Sequence, residues 1–96
     1  MTRYRISPRA RQDLSDIWDF TARHWSPEQA ARYLRLIADA CSDIASGKIT
    51  GRPADEIREG YRKSSVGSHV LFYRADGRGV IVVRVLHKRM DVPRHL

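Results

Sequence analysis

The pattern of apolar positions changes once along the chain, from a helical period to the alternation typical of β-strands. After a short alternating segment at residues 3–6, apolar side chains recur every three or four residues through 8–24 and again through 27–46. A Ser-Pro pair precedes each helical stretch, with Ser7 and Ser26 at the positions that helix N-caps favour. The pattern predicts one strand followed by two helices, which a short turn joins into an antiparallel hairpin.

The second half of the chain predicts a loop and three strands. Residues 47–60 contain three glycines and one proline among few apolar residues, which indicates a long loop. Strands are predicted at 61–65, 68–74 and 80–87, and an Asp-Gly pair marks the hairpin turn before the last of them. We therefore expect an α+β domain. Its N-terminal strand and three-stranded antiparallel meander form one four-stranded sheet, with the helical hairpin on one face.

Length and charge limit the classes of protein to which this chain can belong. The chain has 96 residues, which predicts a single domain over 1–96, and its formal net charge is +7. The last 36 residues hold eight Lys or Arg and only two Asp or Glu, so one end should attract phosphate backbones or an acidic protein. No apolar run approaches the roughly 20 residues that span a bilayer, and no signal peptide is recognisable. We expect a cytoplasmic protein without membrane contacts.

Several kinds of catalytic or cofactor site are not indicated. The only cysteine, Cys41, falls in register with the apolar face of the second helix, so it is predicted to be a small core residue. The four histidines have no metal-ligand spacing, and no phosphate-binding glycine motif occurs. We expect neither a metal nor a cofactor.

Arg84 is the most informative residue of the last predicted strand, because it interrupts a run of valine, isoleucine and leucine. A guanidinium in a central strand needs a charged partner or an opening onto a groove. Alternation predicts Arg84 on the face opposite Ile81, Val83 and Val85. Two interpretations remain: Arg84 points into an uncovered concave face, or it forms an internal salt bridge. The acidic candidates for that salt bridge are Asp55, Glu56 and Glu59.

His87 ends the same predicted strand and precedes Lys88, Arg89 and Met90. Arg84, His87 and Arg89 could together bind a phosphate or an acidic side chain. A histidine beside arginines could also act as a general acid or base. The alternative is a structural histidine that is hydrogen-bonded to the backbone.

Three segments together resemble the ParE toxins of the RelE/ParE toxin–antitoxin superfamily. The first runs from Tyr4 to Ala10 and continues through Asp13-Leu14 and Ile17-Trp18; the second joins Gly60-Tyr61-Arg62 to Gly67–Arg74; the third, Ile81–Asp91, is the most specific. The resemblance covers about residues 3–95 in the right order and spacing.

The resemblance implies a function and a set of partners. ParE-type toxins inhibit DNA gyrase, and a ParD-like antitoxin silences them by wrapping its flexible C-terminal segment around the toxin. It implies a hetero-oligomer that meets DNA only through the antitoxin. RelE-type relatives cut mRNA on the ribosome, commonly with a tyrosine near the C-terminus. No tyrosine follows Tyr73 here, which favours a toxin that is not an enzyme.

The same resemblance suggests site residues. The predicted target-binding residues are Arg62, Arg74, Arg84, His87, Lys88, Arg89 and Met90. If the protein is instead a nuclease, the best available catalytic set is Arg62, Arg84 and His87. The residues predicted to contact the antitoxin are Trp18, Tyr33, Tyr61 and Tyr73.

Overall fold

The computed structural model describes residues 4–90 and 92. Two helices and five strands follow one another in this order: β1 (Tyr4–Ile6), α1 (Pro8–His24), α2 (Pro27–Ala45), β2 (Arg52–Pro53), β3 (Arg62–Val66), β4 (His69–Asp76) and β5 (Gly79–His87). The sheet order is β1-β5-β4-β3-β2. β1 runs parallel to β5, and the other neighbours are antiparallel. The predicted α+β class, with its helical hairpin and meander, is confirmed.

The sheet has five strands rather than the predicted four. Within the predicted loop, Arg52 and Pro53 pair with Lys63 and Arg62 and form the outer strand β2. A two-residue strand that contains proline has too little pattern to be recognised in a sequence, and it is typical of a sheet edge.

The two predicted N-caps are present, and the first also attaches its helix to the sheet. The Ser7 hydroxyl accepts a hydrogen bond from the backbone N–H of Ala10 (3.0 Å) and donates one to the carbonyl of Val83 (2.8 Å). Ser26 accepts from the backbone N–H of Gln29 at 3.0 Å. α1 therefore starts at a fixed point beside β5, whereas the Ser26 cap serves α2 alone.

The main core lies between the helices and one face of the sheet. Its members include Ala10, Ile17, Ile37, Cys41, Ile44, Leu71, Tyr73, Val82 and Val85. Cys41 is 3% exposed, as predicted, and burial raises the pKa of its thiol to about 11. Within the part of the chain that the structure describes, no helix is long and apolar enough to cross a membrane.

The pairing of β4 with β5 slips by one residue in the middle of the sheet. Phe72 lies opposite Arg84, but its neighbour Tyr73 lies opposite Val82, so Val83 is an extra residue in β5. Such a β-bulge shifts the alternation of side chains between the two faces.

The bulge makes one sequence-based grouping wrong. Strict alternation predicted Ile81, Val83 and Val85 on one face, but the β5 residues that join the helix-facing core on either side of the bulge are Val82 and Val85. Ile81 and Val83 are only partly buried. The extra residue changes which β5 positions face the helices, and alternation along a single sequence cannot reveal it.

Candidate functional site

Arg84 is held by an acidic residue of α1. Its Nε and Nη2 atoms donate to the two oxygens of Asp13 at 2.7 and 2.8 Å. One of those oxygens also accepts the backbone N–H of Val85 at 2.9 Å. The Arg84 and Asp13 side chains are only 10% and 12% exposed, and hydrogen bonding to the carboxylate raises the pKa of Arg84.

The structure therefore contains the internal salt bridge that sequence analysis left open, with a different partner. The acids considered were Asp55, Glu56 and Glu59, and none of them is the partner. β1 pairs only with Val80–Val82, so the next part of the β5 edge is left to α1. Asp13 lies about 1.7 helical turns beyond the Ser7 cap, and its carboxylate reaches that edge.

Arg62 also has a structural contact. Its guanidinium donates to the carbonyl of Gly51, and the N–H of Gly51 donates to the Tyr73 hydroxyl at 2.8 Å. A Cβ atom at Gly51 would overlap the Tyr73 hydroxyl and the Lys63 carbonyl, so this close approach requires glycine. Arg62 thus anchors the segment before β2 to the sheet.

The proposed nuclease residues do not converge. His87 pairs with His69 and Arg84 pairs with Phe72, three residues further along β4, so the two side chains lie on opposite faces of the sheet. Arg62 lies opposite Tyr73, about 13 Å along β4 from the His69 position. The predicted cluster of Arg84, His87 and Arg89 is therefore wrong for Arg84 and His87, because alternation separates them.

A different polar cluster forms where α2 meets the ends of β4 and β5. The Tyr33 hydroxyl lies 2.6 Å from Nδ1 of His69, accepts the backbone N–H of Ser68 at 3.0 Å, and lies 3.3 Å from the carbonyl of Val66. The His69 and His87 rings meet edge to face, with their centroids 5.3 Å apart. We call Tyr33, His69 and His87 the histidine cluster.

The hydrogen bonds of the cluster assign its protons. The Tyr33 hydroxyl donates to the carbonyl of Val66 and accepts the backbone N–H of Ser68, so its remaining lone pair can accept Nδ1–H of His69. Nδ1 of His87 accepts the backbone N–H of Arg89 at 3.1 Å, which leaves Nε2 as the protonated nitrogen of that ring. Burial lowers the pKa of His69, and the neighbouring His87 lowers it further.

The histidine cluster lies along an apolar groove with a volume of about 550 Å³. Ile17, Phe20, Trp25 and Met90 line the groove together with the cluster. Phe20 is 60% exposed, Trp25 70% and Met90 45%. Large apolar side chains that remain exposed around a concave surface are typical of a binding site. We call this surface the aromatic groove.

The predicted target-binding residues fall into two groups. Lys88, Arg89 and Met90 are exposed immediately beyond β5, and Arg74 is partly exposed, 3.7 Å from Asp76. Arg62, Arg84 and His87 are instead engaged by Gly51, by Asp13, and by His69 with the backbone of Arg89.

The predicted antitoxin-binding residues also fall into an exposed group and a buried group. Tyr33 lines the aromatic groove and Trp18 is 38% exposed on α1. Tyr61 and Tyr73 are only 9% and 4% exposed, so their side chains cannot form a contact surface. Tyr73 lies in the core beneath the helices, and Arg58 covers the Tyr61 ring at 5.9 Å.

Three residues of the groove, Phe20, Trp25 and His69, are not among the binding residues predicted from the sequence. Phe20 and Trp25 lie outside the apolar stripe that α1 turns toward the core, and an aromatic residue on the polar side of a helix is a usable signal. His69 had no such signal, because its importance depends on Tyr33 and His87, which tertiary folding brings to it.

The fold has a counterpart among solved structures. It matches a solved structure described as the chromosomal ParDE toxin–antitoxin system from P. aeruginosa, with a TM-score of 0.77, 20% identity, and coverage of 91% of this chain and 96% of the other. At that identity the likeness shows the fold alone.

Sequence comparison identifies the branch. The family model for the ParE toxin of the type II toxin–antitoxin system parDE matches residues 4–92. Toxin ParE1 of Mycobacterium tuberculosis H37Rv is 53% identical over 99% of this chain and 98% of its own length. Toxin ParE1 of Caulobacter vibrioides is 44% identical over 100% and 99%. The chain belongs to the ParE toxin family, which confirms the resemblance noted above.

Proposed function

We propose that this protein is a toxin that binds and inhibits DNA gyrase without catalysis of its own, and that a ParD-like antitoxin neutralises it. Membership of the ParE family supports this proposal. One structural observation supports the proposal that the toxin has no catalytic activity. The basic residues that a ribonuclease would need are separated, because Arg84 is bound to Asp13 and His87 lies on the other face of the sheet.

The exposed end of β5 is the proposed gyrase-binding surface. Lys88, Arg89 and Met90 are exposed there in one turn, so two cations lie beside an apolar side chain. This combination suits an acidic protein surface with an apolar contact, and charges at the rim of such an interface speed association and select the partner.

The aromatic groove is the proposed antitoxin-binding surface. Its walls include the exposed side chains of Phe20, Trp25 and Met90, and the protein as a whole has a net charge of +7. An amphipathic segment of an antitoxin can cover the apolar walls, and acidic residues in it would complement the charge of the toxin. Such a segment orders as it binds, so apolar burial and electrostatic attraction must together offset its loss of conformational entropy.

The gyrase proposal is tested by a supercoiling assay with purified gyrase, relaxed plasmid and antitoxin-free protein. We expect inhibition of supercoiling or accumulation of linear DNA. Lys88→Glu/Arg89→Glu should raise the inhibitory concentration about tenfold or more. The matched control Arg52→Glu/Arg78→Glu reverses two exposed charges on β2 and in the β4–β5 turn, and should stay within about twofold.

Unaffected supercoiling with a folded protein would reject the gyrase target. Equal loss of inhibition in both charge-reversal variants would reject the proposed binding surface, because only the overall charge would then matter. Ribosome-dependent cleavage of mRNA by the same preparation would establish the RelE-type alternative. In that case His87→Gln is the first variant to examine, because His87 is the member of the predicted catalytic set that lies at the groove.

A further inference from the structure

We infer that His69 and His87 form a receptor for one carboxylate of the antitoxin segment, so that the segment carries an acidic residue flanked by apolar residues. The inference rests on the proposed binding of an antitoxin in the aromatic groove. It adds the chemistry that the groove selects and the two side chains responsible for the selection.

The hydrogen bonds of the two rings point to a shared acceptor. Nδ1 of His69 is already hydrogen-bonded to the Tyr33 hydroxyl, and Nδ1 of His87 accepts the backbone N–H of Arg89. Among residues 4–90 and 92, no hydrogen bond reaches Nε2 of either ring. When His69 is protonated, two Nε2–H donors are therefore available on neighbouring rings in an apolar groove. A carboxylate has two oxygens and can accept from both.

The elements that pack against the His69 and His87 rings bring both acidic and basic side chains near them. α1 contributes Asp13, which is already bound to Arg84, and Asp16, which accepts from the Gln12 side chain at 2.9 Å. α2 contributes two uncharged side chains to the groove lining, Gln29 and Tyr33. Beyond His87 come the cations Lys88 and Arg89. Asp16 is the one carboxylate that lines the described groove; its Oδ1 accepts from Gln12, and among residues 4–90 and 92 it has no hydrogen bond to either histidine.

An acidic, apolar peptide fits these features better than other occupants. A second copy of the chain would bring another +7 charge to the same surface, and like charges repel. A nucleic acid would place a row of phosphates along walls of Ile17, Phe20, Trp25 and Met90. A peptide with one carboxylate between aliphatic or aromatic residues satisfies the histidine donors and covers those walls.

The receptor predicts that binding takes up protons. In the free protein, burial lowers the pKa of His69, so the ring is neutral at pH 7. A bound carboxylate favours the charged ring and raises its pKa. The gain in affinity is complete below the pKa of the free ring and is lost as the pH rises through the higher pKa of the bound ring. The complex should therefore be tighter in mild acid than in mild alkali.

The test is isothermal titration of the purified toxin with its cognate antitoxin at about pH 5 and about pH 8, on either side of the ordinary histidine pKa and with the acidic arm low enough for the lowered pKa of free His69. We expect the dissociation constant to be about tenfold lower at the acidic pH, which corresponds to about one unit of pKa difference. Titrations in two buffers of different ionisation enthalpy should show net proton uptake. His69→Gln/His87→Gln should remove both effects, and Arg52→Gln, which changes an exposed side chain of β2 outside the groove lining, should keep them.

A second measurement does not depend on any variant folding. Histidine ring signals in NMR spectra give the pKa of His69 in the free toxin and in the complex, and this pKa should rise on binding. Glu→Gln and Asp→Asn replacements made singly along the antitoxin segment should identify one carboxylate whose loss abolishes the pH dependence.

The outcomes separate this inference from the proposed function. Tight antitoxin binding that is independent of pH, or pH dependence that survives His69→Gln/His87→Gln, would overturn the receptor and leave the antitoxin proposal intact. No binding of the cognate antitoxin at either pH would overturn the antitoxin proposal itself. Self-association of the toxin that is abolished by Phe20→Ser would assign the groove to a second copy and overturn both.

Discussion

The contact between Asp13 and Arg84 should make one of the largest single contributions to the free energy of unfolding of this domain. The Asp13 carboxylate accepts two guanidinium hydrogen bonds and the backbone N–H of Val85. Asp13→Ala leaves a guanidinium that is 10% exposed without this carboxylate, and it removes the acceptor of a strand N–H. Breaking one side of a buried ion pair costs about 3–5 kcal/mol. That is a large part of the roughly 5–15 kcal/mol that stabilises a domain.

The assay is urea denaturation followed by tryptophan fluorescence and circular dichroism. Asp13→Ala should lower the free energy of unfolding by about 3 kcal/mol or more. Asp13→Ala/Arg84→Met should cost much less than the sum of the two single changes, because no buried charge is then left behind. The matched control is the exposed pair Lys63–Glu56, 3.3 Å apart with side chains 31% and 60% exposed, whose coupling should stay below about 1 kcal/mol.

A cost of less than about 1 kcal/mol for Asp13→Ala, or a coupling no larger than that of the control pair, would refute the reasoning. The result also bears on functional tests. Arg84→Ala should lose stability together with toxicity, so a loss of toxicity in this variant would not identify Arg84 as a target-binding residue. Variants at exposed Lys88 and Arg89 avoid the ambiguity.

Three further predictions concern single residues. Ser7→Ala should cost about 2 kcal/mol in a urea melt and Ser26→Ala about 1 kcal/mol, since only Ser7 bonds β5 as well as capping its helix; equal costs would contradict this. Gly67 has φ +56°, and a Cβ atom there would lie 2.6 Å from Cε1 of Tyr33. Gly67→Ala should therefore destabilise the domain by about 1–3 kcal/mol and shift the NMR signals of the histidine cluster. An unchanged spectrum would contradict this prediction. Cys41, whose pKa is raised to about 11, should react with iodoacetamide at about pH 8 roughly a hundredfold more slowly in the native protein than in urea; similar rates would show that the thiol is accessible.

Local signals in the sequence were sufficient for the helices and for the three strands of the meander. Each Ser-Pro start is a cap whose hydrogen bonds lie within one turn, and the Asp-Gly turn needs only its own residues. β2 was not predicted because two residues are too few to show the alternation of polar and apolar side chains that marks a strand. The bulge was missed because it appears only when β5 is aligned with β4.

The candidate site was harder to predict because it consists of distant contacts. Arg84 was recognised as unusual, but its partner Asp13 lies 71 residues away, and no spacing rule connects them. Tyr73 and Trp25 are both aromatic in the sequence, yet one is 4% exposed and the other 70%. Which of them can meet a partner depends on how the helices cover the sheet, and the composition of each segment does not determine that.

The two proposed surfaces share the end of β5, and this arrangement predicts how neutralisation works. Met90 lines the aromatic groove and also adjoins Lys88 and Arg89, the proposed gyrase contacts. An antitoxin segment bound at the histidine cluster therefore covers or crowds that surface without any change in the toxin's fold. We expect antitoxin and gyrase to compete: increasing gyrase should lower the apparent affinity of the antitoxin for the toxin in proportion, as for two ligands of one site. A ternary complex of toxin, antitoxin and gyrase that forms with undiminished affinity would show that the surfaces are independent, and that neutralisation requires a conformational change instead.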